Sequence, residues 1–318
     1  MRIRTVFNLT KTTFTHWKED NASRIAAALA FYTSFSLAPV LVIVIAIVGL
    51  VFGQQAAQGR IIDELQGLVG KEAASVIQLM IQNTQDSGSG IVATITSLAL
   101  LLFGASGFFN QLQDALNTIW RVKPKPNRGV IAIIKDRFLS LLMVMGVGFL
   151  LLVSLVISAV LTAVGNIFDS LLQDFIFLWQ LLNFLISFGV VTLLFAMIYK
   201  ILPDVKIAWS DVWIGAVITS VLFALGKSII SIYIGNTSVG STYGAAGSLV
   251  VMLLWIYYSA QILLFGAEFT QVYANRYGSR IIPSDSAIDL DDSEQSYPKQ
   301  NIQNSSGKKV YRYKNRYK

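Results

Sequence analysis

Few side chains in this 318-residue sequence are able to do acid–base or metal chemistry. There is one histidine, His16, and no cysteine, and within an inner domain the acids form no spaced cluster of the kind a hydrolase needs. A single histidine in a basic amphipathic segment reads as an interfacial side chain rather than a catalyst. No enzyme activity, cofactor or metal is expected. Without thiols there is neither a disulfide framework nor a thiolate site, and the redox compartment is not indicated.

What remains is a set of polar groups inside long apolar runs, where each must find a partner. One set falls toward the middle of those runs: Tyr32, Ser36 and Pro39, then Asn183, then Tyr257, Tyr258 and Gln261. Such groups serve either as interhelical hydrogen bonds, the simpler reading, or as a path for the polar part of an amphiphile. A second set gathers at one end: Arg24, Asn110, Gln111, Asp114, Asn117 and Glu268. It reads as helices emerging into water or, more sharply, as a polar vestibule. Arg24 is the better candidate partner for Glu268 than Lys227, and water would serve equally well. Lys227 lies at the opposite depth and is expected to snorkel. No carboxylate sits at mid-depth, so a proton relay has no evident carrier, and passive or partner-driven movement is expected.

The elements that must position these groups follow from hydropathy. The chain is 54% hydrophobic and 14% charged, with a mean hydropathy of +0.59, beyond the usual soluble range. Residues 25–59, 87–113, 138–168, 175–199, 212–226 and 228–267 contain no Lys, Arg, Asp or Glu, and about 20 apolar residues cross a bilayer. The last window, as one helix, would be about 60 Å long, twice a hydrocarbon core. It is therefore expected to turn back near Gly235-Asn236 and Gly240-Ser241. The result is an all-α polytopic membrane protein with six transmembrane helices near 25–53, 90–110, 138–164, 176–200, 211–234 and 243–270. Pro39 should bend the first span, while alanines 26, 27, 28 and 30 let a neighbour approach closely. LLFGA at 101–105 and 263–267 does not fit a three-plus-three repeat and reads as chance.

Charge sets the orientation. With a cytoplasmic amino terminus, the inner loops and termini hold 22 of the 25 Lys and Arg, and the outer side holds only Arg60 and Lys71. That bias predicts both termini inside a bacterial cytoplasmic membrane. It also accounts for the net charge of +7, so nucleic acid is not expected as a partner. Membrane lipids are, and a homo-oligomeric or envelope-protein partner is left open.

Short amphipathic surface helices complete the transmembrane domain, residues 1–277. One is expected over about 5–22 on the inner headgroup layer, and one or two over 54–86 on the outer face. Residues 278–318, poor in aliphatics, read as a disordered cytoplasmic tail. Its terminal KKVYRYKNRYK reads as solvated chain before it reads as a binder of anionic lipid or RNA.

RIAAALAFYTSFSLAPVL, LLFGASGFFNQLQDALNTIWRV and STYGAAGSLVVMLLWIYYSAQILLFGAEFT, in this order, resemble the YihY/BrkB family of bacterial inner-membrane proteins over about residues 8–275. The resemblance implies the six-helix fold. Members have carried the label ribonuclease BN, an attribution generally regarded as mistaken; others are linked to virulence or proposed to move lipids. It supplies no agreed catalytic residues. Transport or flipping of a lipid or other amphiphile is the expected function, a scaffolding role in envelope maintenance is the alternative, and a ribonuclease ranks last.

Overall fold

The computed structural model describes residues 3–69, 71–85, 91–125, 176–236 and 247–290, together with helical residues at 138, 142, 143, 145–150 and 153. The elements in chain order are α1 (Ile3–Glu19), α2 (Ala22–Phe52), α3 (Gln54–Val69), α4 (Lys71–Gln85), α5 (Ile91–Ile119), β1 (Val122–Pro124), α6 (Ile176–Ile201), β2 (Val205–Lys206), α7 (Trp209–Asn236), α8 (Gly247–Tyr277), β3 (Ile282–Pro283) and β4 (Ala287–Asp289). Among the described residues, four helices are long and apolar enough to cross a membrane: α2, α6, α7 and α8. The 29-residue α5 lies where the second span is expected. Most of the expected third span, 138–164, lies outside the described residues, as do residues 291–318.

Asn21, in the left-handed region at φ 53°, turns the chain from α1 into α2, a conformation that asparagine tolerates better than most residues. α2 continues for 31 residues with Pro39 inside it. The proline ring lies against α5 where that helix has no side chain: a Cβ on Gly104 would stand 2.9 Å from Pro39 Cγ, and one on Gly107 would stand 3.6 Å from Ser36 Oγ. Small residues on α5 thus let the two helices approach closely. Gly53, at φ 80°, ends α2 and donates its N–H to Gly49.

Two apolar clusters hold the bundle. One joins Leu29 of α2, Leu112 and Leu116 of α5, Tyr199 of α6, Ala216 of α7 and Leu264 of α8. The other packs Ala57, Ile61, Ile77 and Ile81 of α3 and α4 against Val44, Ile45 and Val48 of α2 and Met252 and Ile256 of α8. α1 is amphipathic: Leu9 packs against Phe269 and Val272 of α8, while Phe7 and Phe14 point outward.

The strands gather one end of the bundle. β1, just after α5, pairs with β4, and β2, just after α6, pairs with β3, both antiparallel. The ends of α5, α6 and α8 therefore meet at the end where α1 lies. This corrects the expectation that the domain stops at 277 with a disordered tail from 278. Residues 279–290 fold back because their polar groups find partners in the preceding loops. Asp211 accepts hydrogen bonds from the Ser279 N–H and Oγ, both at 2.8 Å, and Lys206 meets Asp285 at 2.7 Å. Lys125 donates to the Asp285 carbonyl at 2.7 Å, and Ala287 is buried in the first cluster. α8 likewise runs to Tyr277 rather than Thr270, carried by buried Val272 and Ala274.

Candidate functional site

The C-terminal part of α8 is fixed to the end of α5 by two hydrogen bonds. Trp120 Nε1 donates to the Ala267 carbonyl at 3.1 Å, and Gln271 Nε2 donates to the Ile119 carbonyl at 2.9 Å. These contacts lie just before and just after Glu268, so the residue after Trp120, Arg121, arrives beside it. Arg121 has a left-handed backbone, φ 57°. Its guanidinium reaches Asp20, at the end of α1, at 3.6 Å.

Glu268 is fully buried, at 0% exposure, and the charged groups facing it are Asp20, Arg121 and Glu19. Neither of its carboxyl oxygens has a hydrogen-bond partner. The same holds for Asp20 Oδ2, Arg121 Nη2, Gln271 Oε1 and, on α1, Thr13 Oγ1, His16 Nδ1 and Trp17 Nε1. Residues 13, 16, 17 and 20 recur at helical spacing and share the face that carries Leu9. The joint between α1 and α8 thus contains a group of buried polar atoms with unmet hydrogen-bonding capacity. Unmet capacity in low dielectric is costly, at about 1–3 kcal/mol for each neutral group.

A further unpartnered atom, Gln261 Oε1, lies seven residues before Glu268 on α8. At about 100° per residue, Gln261, Glu268 and Gln271 fall within about 80° of one another around the helix. Tyr257, one turn before Gln261, is half-buried and packs against both apolar clusters.

The other sequence-selected residues are spread over several helices. Tyr32 is 46% exposed on α2 and meets the Phe31 ring edge-on. Ser36 and Pro39 lie in the α2–α5 contact, and Tyr258 lies over Gly226 of α7, where a Cβ would stand 2.9 Å from its ring. Asn183 is on α6, and its side chain lies outside the described residues. Of the expected end cluster, only Glu268 belongs to the buried group. Arg24 is exposed on the first turn of α2, so the cation nearest Glu268 is Arg121 rather than Arg24. Asp114 is exposed, and Asn110 and Gln111 are half-buried. Asn117 is buried in a two-bond pair with Asp204: its Nδ2 donates to Oδ2 at 3.0 Å, and the Asp204 N–H donates to its Oδ1 at 2.8 Å.

Sequence reading missed Asp20, Arg121, Thr13 and Gln271. The spacing of 9, 13, 16 and 20 on α1 was the available signal; that the opposite partner would be α8 had none. It also missed Tyr199, fully buried, whose hydroxyl donates to the Leu263 carbonyl at 2.8 Å and pairs with Thr219 Oγ1 at 3.1 Å.

Comparison with known proteins agrees with the sequence resemblance. The chain is 26% identical to a UPF0761 membrane protein of Actinobacillus pleuropneumoniae, over 80% of this chain and 89% of that one. It is 26% identical to one of Alteromonas mediterranea, over 80% and 83%, and 28% identical to one of Albidiferax ferrireducens, over 79% and 58%. No solved structure matches. The family described as "Virulence factor BrkB" matches residues 13–287, and the chain, an integral membrane protein by its apolar helices and its relatives, belongs to that family.

Proposed function

We propose that this protein moves a lipid or another amphiphile between the leaflets of a bacterial cytoplasmic membrane, with six crossings and both termini in the cytosol. The observation that carries the reading is the stripe of buried, unpartnered polar atoms on α8, running from Gln261 through Glu268 to Gln271. An amphiphile head crossing the hydrocarbon needs such groups, because each polar contact it loses in leaving water must be replaced. A wall that only packs helices together gains nothing from leaving them unmatched.

The six-crossing, N-in reading has two supports. The 22-to-2 distribution of basic residues favours that orientation. The gathering of α1, β1, β2, β3 and β4 at one end puts Lys125 and the first residue of α6 at opposite ends. A third span between them, where the sequence expects it, fits that arrangement.

The scaffold reading draws on Ser36, Pro39 and Tyr258, all of which serve close helix contacts. Flux separates the two. In vesicles containing the purified protein, labelled lipid should exchange between leaflets faster than in protein-free vesicles, and Tyr257→Phe combined with Gln261→Leu should slow the exchange. Flux equal to that of protein-free vesicles removes transport and leaves the scaffold.

A further inference from the structure

We infer that α1 lies across the end of the bundle as a docking surface for anionic phospholipid, with Phe7 and Phe14 entering the acyl boundary and Lys11 and Lys18 meeting the phosphates. This surface is separate from the polar stripe on α8, and its test does not depend on transport.

The course of α1 follows from where its two ends touch. Leu9 packs on Phe269 and Val272 of α8, with Ile218 of α7 alongside. At the other end, Asp20 meets Arg121 at 3.6 Å. The bonds from Trp120 to the Ala267 carbonyl and from Gln271 to the Ile119 carbonyl hold Arg121 beside the same part of α8. From Leu9 to Glu19 α1 advances about 15 Å, whereas α8 advances only about 8 Å between residues 267 and 272. α1 therefore crosses α8 rather than running along it. A helix laid across the ends of membrane-spanning helices lies in the plane of the interface. Exposed Trp209 and Trp213 of α7 and Tyr277 of α8 put an aromatic belt at that same end.

The two long faces of α1 are nearly opposite. At about 100° per residue, Leu9, Thr13 and His16 fall within about 60° of one another on the bundle side, and Phe7, Lys11, Phe14 and Lys18 fall within about 60° on the far side. Phe7 is 69% exposed and Phe14 57%, and both lysines are exposed. The Phe14 ring is steadied by stacking on Trp17, centroids 5.7 Å apart, and Trp17 packs in turn against the first apolar cluster. Each lysine follows a phenylalanine by about one turn. Its stem can lie along the apolar surface while the ammonium rises to the phosphate layer. Charge selects the occupant. Glu19 is the one acid in α1, and it is turned about 100° from Lys18, so the stripe itself is purely basic and aromatic. A basic side chain near an anionic bilayer gains about fivefold in association, and a zwitterionic surface offers no such gain.

The absence of cysteine lets one fluorophore be placed at Thr15→Cys, an exposed position beside the stripe. The full chain is reconstituted in nanodiscs of mixed phosphatidylcholine and phosphatidylglycerol, with an acyl-chain quencher carried by one lipid or the other. Phosphatidylglycerol should quench at the lower mole fraction, its relative association constant higher by about fivefold if one lysine is engaged and by up to about thirtyfold for both. Added salt should reduce the preference. Lys11→Gln combined with Lys18→Gln should make the two lipids equal. Arg24→Gln combined with Lys123→Gln, the same loss of charge at exposed positions off the stripe, should keep the preference. Equal quenching by the two lipids with the native lysines in place overturns the inference, and so does a preference that survives Lys11→Gln with Lys18→Gln. Quenching by neither lipid also overturns it, since something other than the bilayer would then cover this face. Lipid exchange between leaflets without any such preference would leave the transport reading intact and remove only the docking surface.

Discussion

Thr270 of α8 occupies the space left by Gly215 of α7, so that a Cβ on Gly215 would overlap the threonine hydroxyl. The relation is reciprocal, because Thr219 fills the space over Gly266 in the same way. Each threonine also donates to the glycine carbonyl four residues earlier on its own helix, Thr219 to Gly215 at 2.8 Å and Thr270 to Gly266 at 2.7 Å. The two helices thus carry the same Gly-x-x-x-Thr unit and interlock knob into hole. In lipid, where apolar surface gives no preference for a neighbouring helix, such close van der Waals contact holds a pair together.

Gly215→Ala or Gly266→Ala should therefore cost about 1–3 kcal/mol, the usual range for forced overpacking. Thermal unfolding in detergent measures it. Gly215→Ala combined with Thr270→Ala should recover much of the loss, whereas Gly215→Ala combined with Thr219→Ala should not, since Thr219 faces the other glycine. Equal recovery by both would show that the interlock is not specific.

Asn117→Ala breaks both bonds to Asp204, the one to its carboxylate and the one from its backbone N–H. The expected loss is about 1–3 kcal/mol. Amide exchange should rise first in 203–207, the segment that the pair ties to α5. Gln111→Ala, at a half-buried position on the same helix, should leave that segment protected.

Truncation at two points tests how far the folded domain extends. A chain ending after Leu290 keeps β3, β4 and the contacts of Ser279 and Asp285. Its melting temperature should match that of the full protein. Ending after Tyr277 removes both strands, takes away the two Ser279 donors to Asp211, and should lower the melting temperature by several degrees.

The long helices were legible because the membrane imposes a length and a polarity that any 20-residue window reveals. The amphipathic character of α1 was legible for a similar reason. Pairing was not. Asp285, Asp289 and Glu294 look alike in composition, yet Asp285 meets Lys206 and Asp289 sits opposite Val122 in β1. A tail's acidity says nothing of the basic loops that fold beside it. The same gap hid the α1–α8 joint: Leu9 is 260 positions from Phe269, and only the packing of α1 on α8 brings them together. Arg24, one turn from Asp20 along the chain, was the natural guess for a cation. The left-handed Asn21 turns α2 away at that point, and Arg121 takes the place.

Arg121 is consequently the tie between the end of α5 and the end of α1, its guanidinium 3.6 Å from Asp20 Oδ1. Arg121→Gln removes that ion pair, so amide exchange at 18–22, the turn between α1 and α2, should speed up. Arg24→Gln, at an exposed position on the next turn, should leave the segment as protected as before. Equal exchange in the two variants would mean that packing alone holds the turn.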